Sequence, residues 1–387
     1  MKIGLVLAYK GTNYGMHLQG YAIQQILEGL GHETTIIEYK HDKFNLVSFD
    51  LGLFPYLYNR LVDKLHRKKV QSDFSEIHIR NNILRKQVSD EFRSTMLHNI
   101  KPIYGYKALC EFGKSCDCVL IGSDQMWLPG VSLGNFLSLK FVPDTTTKIS
   151  YATSLGVSEY PKYLYHSARK MWNRIDFLST REEEGKRVIN AVCPSKEVKV
   201  VADPTYLLTK EEWLEKIPQQ RILNNKYVLC YFLGNNVGSL ECARRYADSK
   251  GLQIVSILSN ESTCKIDTTF CDKLIIGADV AKFVNLIRGA ECIFTDSFHG
   301  VAFSVINEKN FYIFYRKRDD AKLSRNSRID NILRTWNLTN RLITDNLIDW
   351  ENVEDIDIDY VEVGKILSRY RLESFNWLKS ALKHGQK

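Results

Sequence analysis

The N-terminal part of the chain places an amphipathic segment between two short apolar runs. The first run extends from Ile3 to Ala8 and is followed by the glycine-containing turn "YKGTNYG". Apolar positions then recur at helical spacing from about His17 to Leu30, before the β-rich segment "ETTIIEY". Short apolar runs predict buried strands, and the helical spacing between them predicts a helix. The order strand, helix, strand predicts the first unit of a doubly wound parallel sheet.

Strand-and-turn patterns recur in two series along the rest of the chain. Residues 57–115 first show a helical and charged pattern. The first series is then "CVLIGSDQMW", "KISYATSLG", "DFLSTREEEG" and "VKVVADPTY", and the second is "KYVLCYFLGNN", "LQIVSIL", "ECIFTDSFHG" and "NFYIFYRKR". Strands that alternate with helical stretches predict parallel sheets joined by right-handed crossovers. We therefore predict an α/β fold with two Rossmann-like domains and a cleft between them.

The two series are separated at a dipeptide that interrupts regular structure. Asp203-Pro204 disfavours the continuation of a helix or a strand. We predict an N-terminal domain over 1–203 and a C-terminal domain over 204–355. Apolar residues recur at helical spacing near the end of the chain, so 356–387 is predicted to form a helix that packs back on the body.

The composition is that of a globular protein with a large core. The chain has 387 residues and 44% hydrophobic content. Its nine cysteines are odd in number and lie mostly in apolar runs, which favours reduced, buried thiols. The "CDC" at 116–118 has the wrong spacing for a zinc knuckle, and no metal site is predicted. The chain shows neither an apolar stretch of about 18 residues nor a signal-peptide pattern, which favours a cytoplasmic location.

The charge balance suggests an anionic partner. Basic residues number 53 and acidic residues 45, for a net charge of +8. This favours anionic small molecules or an acidic membrane surface, whereas no signature of nucleic-acid binding is present. The densest basic cluster, "KLHRKKV" at 64–70, is typical of a solvated helix face. Peripheral contact of this cluster with lipid headgroups at the inner face of the plasma membrane is the alternative. The sequence also leaves open whether the protein forms a homo-oligomer.

Polar residues follow directly after several predicted strands. Ligands of open parallel sheets bind beyond the carboxyl ends of the strands, so these residues are candidates for a site. Two of the turns run into helices, whose free N–H groups and dipoles favour anions. The candidates are Asn13, Gly15, Gly122, Ser123, Asp124 and Arg181 in the first half, and Asp296, Ser297, His299, Arg316, Lys317 and Arg318 in the second.

The turn "TDSFHG" carries the sharpest of these candidates. His299 follows a predicted strand, opens a predicted helix and lies one strand before the "RKR" at 316–318. An imidazole beside cationic side chains suits proton transfer to or from an anionic substrate. The alternative is a structural histidine, with Asp296 as the N-cap of a helix that begins near Gly300. No G-x-S-x-G elbow surrounds Ser297, which disfavours a Ser-His-Asp hydrolase.

The other candidates also have structural interpretations. Asp124 can be a helix cap with no further role. Arg181 can be a helix-start residue that pairs with Glu183 or Glu184. Trp127 can offer a stacking face to a sugar or lie in the core. The "GTNYG" turn lacks the glycine spacing of a dinucleotide site, so that site is not predicted.

Six stretches, in order, resemble the polysaccharide pyruvyl transferase family over nearly the whole chain. They are "NYGMHLQGYA", "LIGSDQMW", "ISYATSLG", "TREEEG", "ADPTYLL" and "TDSFHGVAFS". The resemblance implies a glycosyltransferase-B-like fold. It also implies transfer of pyruvate from phosphoenolpyruvate to two hydroxyls of a sugar in surface or capsular polysaccharide synthesis. Phosphoenolpyruvate is then a co-substrate, no separate cofactor or metal is required, and a lipid-linked oligosaccharide is the expected sugar acceptor.

The resemblance also implies roles for individual residues. The family's donor-binding arginine falls on Arg181 and its histidine on His299, while Lys317 or a neighbour matches a basic residue after the following strand. Ser297 stands where many members have an arginine. The residues that can replace this charge are Arg316, Arg318, Arg325 and Arg328.

The expected reaction needs one general acid and one base. We expect His299 to be the acid or to contact the departing phosphate, and Asp296 or Asp124 to orient it or to activate the acceptor. The sugar is expected to lie against the loops around Asn13 and Asp124. Two other functions stay open, a glycosyltransferase of the same fold with a nucleotide-sugar donor and, because of Ser297, a non-catalytic glycan-binding relative.

Overall fold

The fold is taken from a computed structural model. It describes residues 1–40, 76–129, 136–234, 237–259, 270–316, 327–344, 350 and 357–385. Four predicted binding residues are not covered: Lys317, Arg318 and Arg325 lie outside these ranges, and the side chain of Arg328 is not described. The basic stretch at 64–70 also lies outside the described residues.

The first sheet contains seven parallel strands. They are β1 (Lys2–Val6), β2 (Glu33–Lys40), β3 (Ile100–Tyr104), β4 (Cys118–Ile121), β5 (Thr147–Thr153), β6 (Phe177–Thr180) and β7 (Lys199–Val200). Their order across the sheet is β3-β2-β1-β4-β5-β6-β7. The central pair β1 and β4 is in register with Ile3 opposite Cys118.

The second sheet contains six parallel strands. They are β8 (Tyr227–Tyr231), β9 (Gln253–Ile257), β10 (Lys273–Ile275), β11 (Cys292–Thr295), β12 (Asn310–Phe314) and β13 (Leu342–Ile343). Their order is β10-β9-β8-β11-β12-β13, and Cys292 lies opposite Val228 in the central pair. Each sheet has a doubly wound order that reverses at its centre, which confirms the predicted α/β class with two Rossmann-like sheets.

Helices connect the strands. Those before β8 are α1 (Tyr14–Gly29), α2 (Glu76–Met96), α3 (Tyr106–Ser115), α4 (Tyr165–Asn173), α5 (Glu183–Val192), α6 (Pro204–Leu207) and α7 (Lys210–Lys216). Those after β8 are α8 (Val237–Ser249), α9 (Val280–Gly289), α10 (Phe298–Ile306), α11 (Ser327–Thr335) and α12 (Tyr360–His384). None of these helices is apolar over a length sufficient to cross a bilayer.

Strand β3 corrects the prediction that 57–115 is helical. Its sequence, "IKPIY", has only one buried residue, Ile103. The strand pairs with β2 alone and forms an edge of the first sheet. Proline is tolerated at such an edge because one side of the strand makes no ladder hydrogen bonds. An edge strand with exposed polar positions lacks the apolar run by which the other strands were predicted.

The C-terminal helix α12 packs back on the first sheet. The amide of Ala202 donates to Oγ of Ser374 at 2.8 Å. The rings of Tyr151 on β5 and Trp377 lie 6.2 Å apart. One hydrophobic core runs from Ile3 to Leu382 and includes residues of both sheets. The two sheets are therefore joined by continuous packing.

Burial decides one interpretation that the sequence left open and confirms one prediction. Trp127 has no exposed surface, and its indole N–H donates to the carbonyl of Leu137 at 3.2 Å, so it is a core residue. The cysteines within the described residues are all free, and all except Cys110 are buried, as predicted. Burial raises the pKa of the Cys116 thiol to about 11.

His17 in the first turn of α1 is a buried, neutral histidine. Its imidazole is inaccessible to solvent and stacks on Phe92 with the rings 5.1 Å apart. Nε2 lies 2.9 Å from the carbonyl oxygen of Gly11. Burial, together with the guanidinium of Arg85, lowers the pKa of His17 from 6.5 to about 4. This residue should therefore make the fold sensitive to mild acid.

We expect His17 to account for about 2 kcal/mol of lost unfolding free energy between pH 7 and pH 5. Between the two pKa values the unfolded chain binds a proton that the folded chain does not, so acidification favours unfolding. His17→Gln should remove this part of the pH dependence. Denaturant unfolding at both pH values measures it, and the same loss in wild type and variant would contradict the assignment.

Candidate active site

The two sheets contribute loops to one group of polar side chains. Gly15 lies at the start of α1, after β1, and packs directly against His299 at the start of α10, after β11. Ser123, Arg181 and Asp203 follow β4, β6 and β7 and complete the group. The strands β1, β4 and β11 flank the points where the sheet orders reverse, which is where ligands bind in this class of sheet.

Asp203 lies at the centre of this group. Its side chain is completely buried, and Oδ1 accepts from N and Oγ1 of Thr205 at 3.0 and 2.8 Å. Oδ2 accepts from Oγ of Ser123 at 2.9 Å and from a terminal nitrogen of Arg181 at 2.8 Å. Oδ2 also lies 3.7 Å from Nε2 of His299. One carboxylate therefore connects the loops of the first sheet with a histidine of the second.

Arg181 presents buried N–H groups beside Asp203. Its side chain is 3% exposed, and its Nε lies 3.6 Å from a carboxylate oxygen of Glu182. The guanidinium carbon lies 4.2 Å from the centre of the Phe298 ring, a cation–π geometry. Among the described residues, Nε and the second terminal nitrogen have no hydrogen-bond partner. Buried donors without a partner are costly, so this arrangement favours an anionic ligand.

The carboxylate partners of Arg181 are not the ones expected of a helix-start residue. Asp203 and Glu182 make its ion pairs. Glu184 instead pairs with Arg187 on the same helix. The structural interpretation of Arg181, pairing within its own helix, is therefore wrong for the described residues.

His299 is held by close contact with a glycine. A Cβ atom at Gly15 would stand 1.9 Å from Nδ1 and 2.2 Å from Cγ of His299. No residue with a side chain fits there while the imidazole keeps its place. The histidine is 8% exposed, and its Nε2 has no hydrogen-bond partner among the residues that the structure describes. Nε2 lies beside the Asp203 carboxylate to which Arg181 is also bound.

The charges at the centre of the site compensate one another. Burial alone would raise the pKa of the Asp203 carboxyl, but His299 and Arg181 hold it well below its usual range. Burial likewise works to lower the pKa of Arg181, and the carboxylates of Asp203, Glu182 and Asp124 raise it. Both groups are thus ionised at neutral pH, as a buried pair must be to remain stable.

Asp124 borders the site on the loop after β4. Its backbone has φ of 74°, in the left-handed region, and its carbonyl oxygen accepts from the amide of Ser154 at 2.9 Å. Oγ of Ser154 in turn donates to Glu182 at 2.6 Å. The amide of Gly122 donates to the carbonyl of Val6 at 3.0 Å, which fixes the start of this loop. These contacts place a partly exposed carboxylate near Arg181.

Asp296 fixes a loop of the second sheet. Its two carboxylate oxygens accept from the amides of Leu233 and Gly234, both at 2.7 Å. Arg316, at the end of β12, packs on the same loop, since a Cβ atom at Gly234 would stand 2.8 Å from Cγ of Arg316. The structure thus places Asp296 and Arg316 side by side at the carboxyl ends of β11 and β12.

The two helices that meet in the site have side-chain caps. Oγ of Ser297 accepts from the amide of Gly300 at 3.3 Å, so the N-cap of α10 is Ser297 and not Asp296. Oδ1 of Asn13 accepts from the amides of Gly15 and Met16 at 2.9 and 3.3 Å. The N-termini of α1 and α10 therefore both lie at the group of polar side chains around Asp203, and helix N-termini favour anions.

Asp203 is the residue that sequence reasoning missed. From the sequence alone, the Asp-Pro dipeptide predicts only an interruption between domains. Two signals point further: Asp203 lies three residues after the end of the short strand β7, and it belongs to "ADPTYLL", one of the stretches that carry the family resemblance. Its role becomes visible only through its neighbours, because Ser123, Arg181 and His299 come from distant parts of the chain.

Several solved structures have a fold similar to that of this chain. The N-terminal domain of trehalose-6-phosphate phosphatase from Candida albicans has a similar fold, with a TM-score of 0.50, 10% identity and coverage of 99% of each chain. UDP-GlcNAc 2-epimerases from Methanocaldococcus jannaschii and Neisseria meningitidis align with TM-scores of 0.49 and 0.48 and identities of 12% and 13%. These alignments cover 95% and 96% of this chain and 100% of each epimerase chain.

The sequence comparisons are more specific than the structural ones. No curated protein matches the sequence. The family described as polysaccharide pyruvyl transferase matches residues 13–318, a span that contains Arg181, Asp203 and His299. The chain therefore belongs to the polysaccharide pyruvyl transferase family.

Proposed function

We propose that this protein transfers pyruvate from phosphoenolpyruvate to two hydroxyls of a sugar, forming a ketal during surface or capsular polysaccharide synthesis. One observation carries the proposal. Arg181 and His299, from different sheets, both lie beside the buried carboxylate of Asp203, and each has buried nitrogens without a hydrogen-bond partner among the described residues. Family membership supplies the class of reaction, and this geometry supports an anionic donor that also needs a proton.

The donor requires more than one cationic group. Phosphoenolpyruvate has a carboxylate and a phosphate, and the unpartnered nitrogens of Arg181 suit a bidentate contact with one of them. The carboxylates of Asp203 and Glu182 already offset the charge of Arg181, so the other anionic group needs a separate cation. Arg316, together with Lys317 and Arg318 next to it in the sequence, is proposed for this contact. This set would replace the arginine that many family members have at Ser297.

The proposed reaction begins with His299 as general acid. His299 protonates the methylene carbon of the donor, which makes C2 electrophilic. A sugar hydroxyl attacks C2 and loses its proton, and the C2–O bond to phosphate breaks with its electron pair on the phosphate. A second hydroxyl then bonds to C2 and loses its proton. One proton enters the new methyl group and two leave the sugar, so the extra proton leaves on the phosphate.

Asp124 is the proposed base for the sugar. Asp296 was the alternative, but both of its oxygens accept from backbone amides. Asp124 is partly exposed, and its carboxylate is close enough to Arg181 to raise the pKa of the guanidinium. We place the sugar against the loops around Asn13 and Asp124. A lipid-linked oligosaccharide as acceptor would bring the protein to the cytoplasmic face of a membrane.

The expected result is equal release of phosphate and formation of ketal. The protein is incubated with phosphoenolpyruvate and with synthetic galactosides or lipid-linked oligosaccharides. ³¹P NMR measures inorganic phosphate, and ¹H NMR measures the methyl signal of the ketal. Both products should appear at the same rate and only when donor and acceptor are present together.

Other outcomes would contradict the proposal. Absence of phosphate release with every acceptor would exclude the pyruvyl transfer. Release of a nucleotide from a UDP-sugar would show a glycosyltransferase instead. Tight glycan binding without turnover of either donor would show a non-catalytic relative.

A further inference from the structure

Asp203 occupies the N-cap of α6, but its contacts exceed those of a cap. The cap uses Oδ1, which accepts from the backbone and side chain of Thr205. Oδ2 is bonded to Ser123 and Arg181 and faces His299. We propose that Asp203 is a positioning residue that fixes Arg181 and orients the imidazole of His299 between the two sheets. Only its kinetic consequence rests on the proposed function.

The contacts of Asp203 require that Oδ1 and Oδ2 both accept hydrogen bonds. The amide of Thr205 can only donate, and so can the guanidinium of Arg181. An asparagine would therefore have to direct its NH₂ group at one of these donors. Keeping its oxygen on Thr205 preserves the cap, for which asparagine is as good as aspartate. The NH₂ group then faces Ser123 and Arg181 in place of Oδ2.

Asp203 also selects the nitrogen of His299 that carries a proton. Nδ1 lies against Gly15, whereas Nε2 lies 3.7 Å from Oδ2 of Asp203. In the neutral imidazole of the resting protein, a nearby carboxylate favours the tautomer with the proton on Nε2, and in the imidazolium that acts as the acid it faces the same Nε2–H. The distance is too long for a hydrogen bond. Asp203 therefore orients this N–H electrostatically but does not accept a hydrogen bond from it. It stays available to a ligand that binds against Arg181.

The position of Asp203 relative to the sheets explains why it is needed. Arg181 and Ser123 come from the first sheet, and His299 comes from the second. Asp203 contacts all three, and its side chain is completely buried. A fixed carboxylate at this point sets the distance between the guanidinium and the imidazole, and small errors in such a distance slow catalysis strongly.

The test is Asp203→Asn, which keeps the helix cap and removes the charge. We expect kcat for phosphate release to fall about 100-fold or more, as for other carboxylates that orient a catalytic histidine. ¹⁵N NMR of the His299 side chain should show a smaller fraction of the Nε2–H tautomer. A residue that only caps α6 would change neither quantity. Wild-type kcat and wild-type tautomer fractions in the variant would overturn the proposal.

A matched control and a second variant keep the test decisive. Asp359 is also an N-cap aspartate, for the amides of Val361 and Glu362 on α12, and it is exposed. Asp359→Asn should leave the kcat and the tautomer of His299 unchanged. Ser123→Ala removes one hydrogen bond from Oδ2 at constant charge, and it should lower kcat about fivefold with a smaller tautomer shift. If Asp203→Asn does not fold, an unchanged Ser123→Ala overturns the proposal.

Failure of the proposed function gives a different result. If wild type releases no phosphate from phosphoenolpyruvate, the pyruvyl transfer is excluded. The tautomer measurement on the intact chain needs no substrate, so it still supports or overturns the role of Asp203.

Discussion

Gly15→Ala is expected to lower the rate of phosphate release by about 100-fold or more. The new methyl group would stand 1.9 Å from Nδ1 and 2.2 Å from Cγ of His299. Cγ is the root of the ring, so the whole imidazole must move and cannot simply rotate. A displacement of about 1 Å in a catalytic group costs about two orders of magnitude in rate. The initial rate with phosphoenolpyruvate and an active acceptor measures the effect.

The same helix supplies a matched control for this prediction. Gly29 is the last residue of α1, and a Cβ atom there has no neighbour within 4 Å. Gly29→Ala should therefore keep full activity and stabilise the helix slightly, because alanine has the higher helix propensity. Equal activity of the Gly15 and Gly29 variants would show that turnover does not depend on the observed position of the His299 imidazole. The thermal transition of each variant verifies that it is folded.

His299→Ala is expected to reduce turnover about 100- to 10,000-fold, the usual contribution of general acid catalysis. The imidazole is the ionisable group that α10 contributes beside Asp203. Its removal takes away the proposed proton donor while the ion pair of Arg181 and Asp203 remains. The thermal transition should move by no more than about 4 °C. Phosphate release and calorimetry on the same preparation test both statements.

The control for this variant is a histidine away from the site. His166 on α4 is exposed. His166→Ala should leave turnover unchanged. Full turnover of His299→Ala would remove His299 from the mechanism, and collapse of its thermal transition would show that the ring is structural.

The sequence predicted the fold class because the strands are buried. Strands such as β1, β4, β8 and β11 are apolar runs of four or five residues, and such runs are visible without any tertiary information. Strand β3 was missed for the opposite reason. As an edge strand it has exposed polar positions and a proline, which resemble a loop or the end of a helix.

The location of the candidate site was also predictable, because parallel strands place their carboxyl ends at one edge of a sheet. Asn13, Ser123, Arg181 and His299 are candidates on this basis. The structure brings the last three into contact with Asp203, and Asn13 caps the helix whose Gly15 packs against His299. The individual roles were less predictable. Cap residues and catalytic residues have the same composition, so Ser297 and Asp296 could not be told apart from the turn sequence alone.

Amino-acid order along this chain was enough to predict two parallel Rossmann-like sheets and the family, and to propose Arg181 and His299 as site residues, since each depends on local periodicity or on short motifs. Folding was needed to reveal Asp203 as the partner of both residues and Gly15 as the surface against which His299 rests. Those contacts join residues about twenty to three hundred positions apart. Their distances depend on how the two sheets pack, which local sequence patterns do not encode.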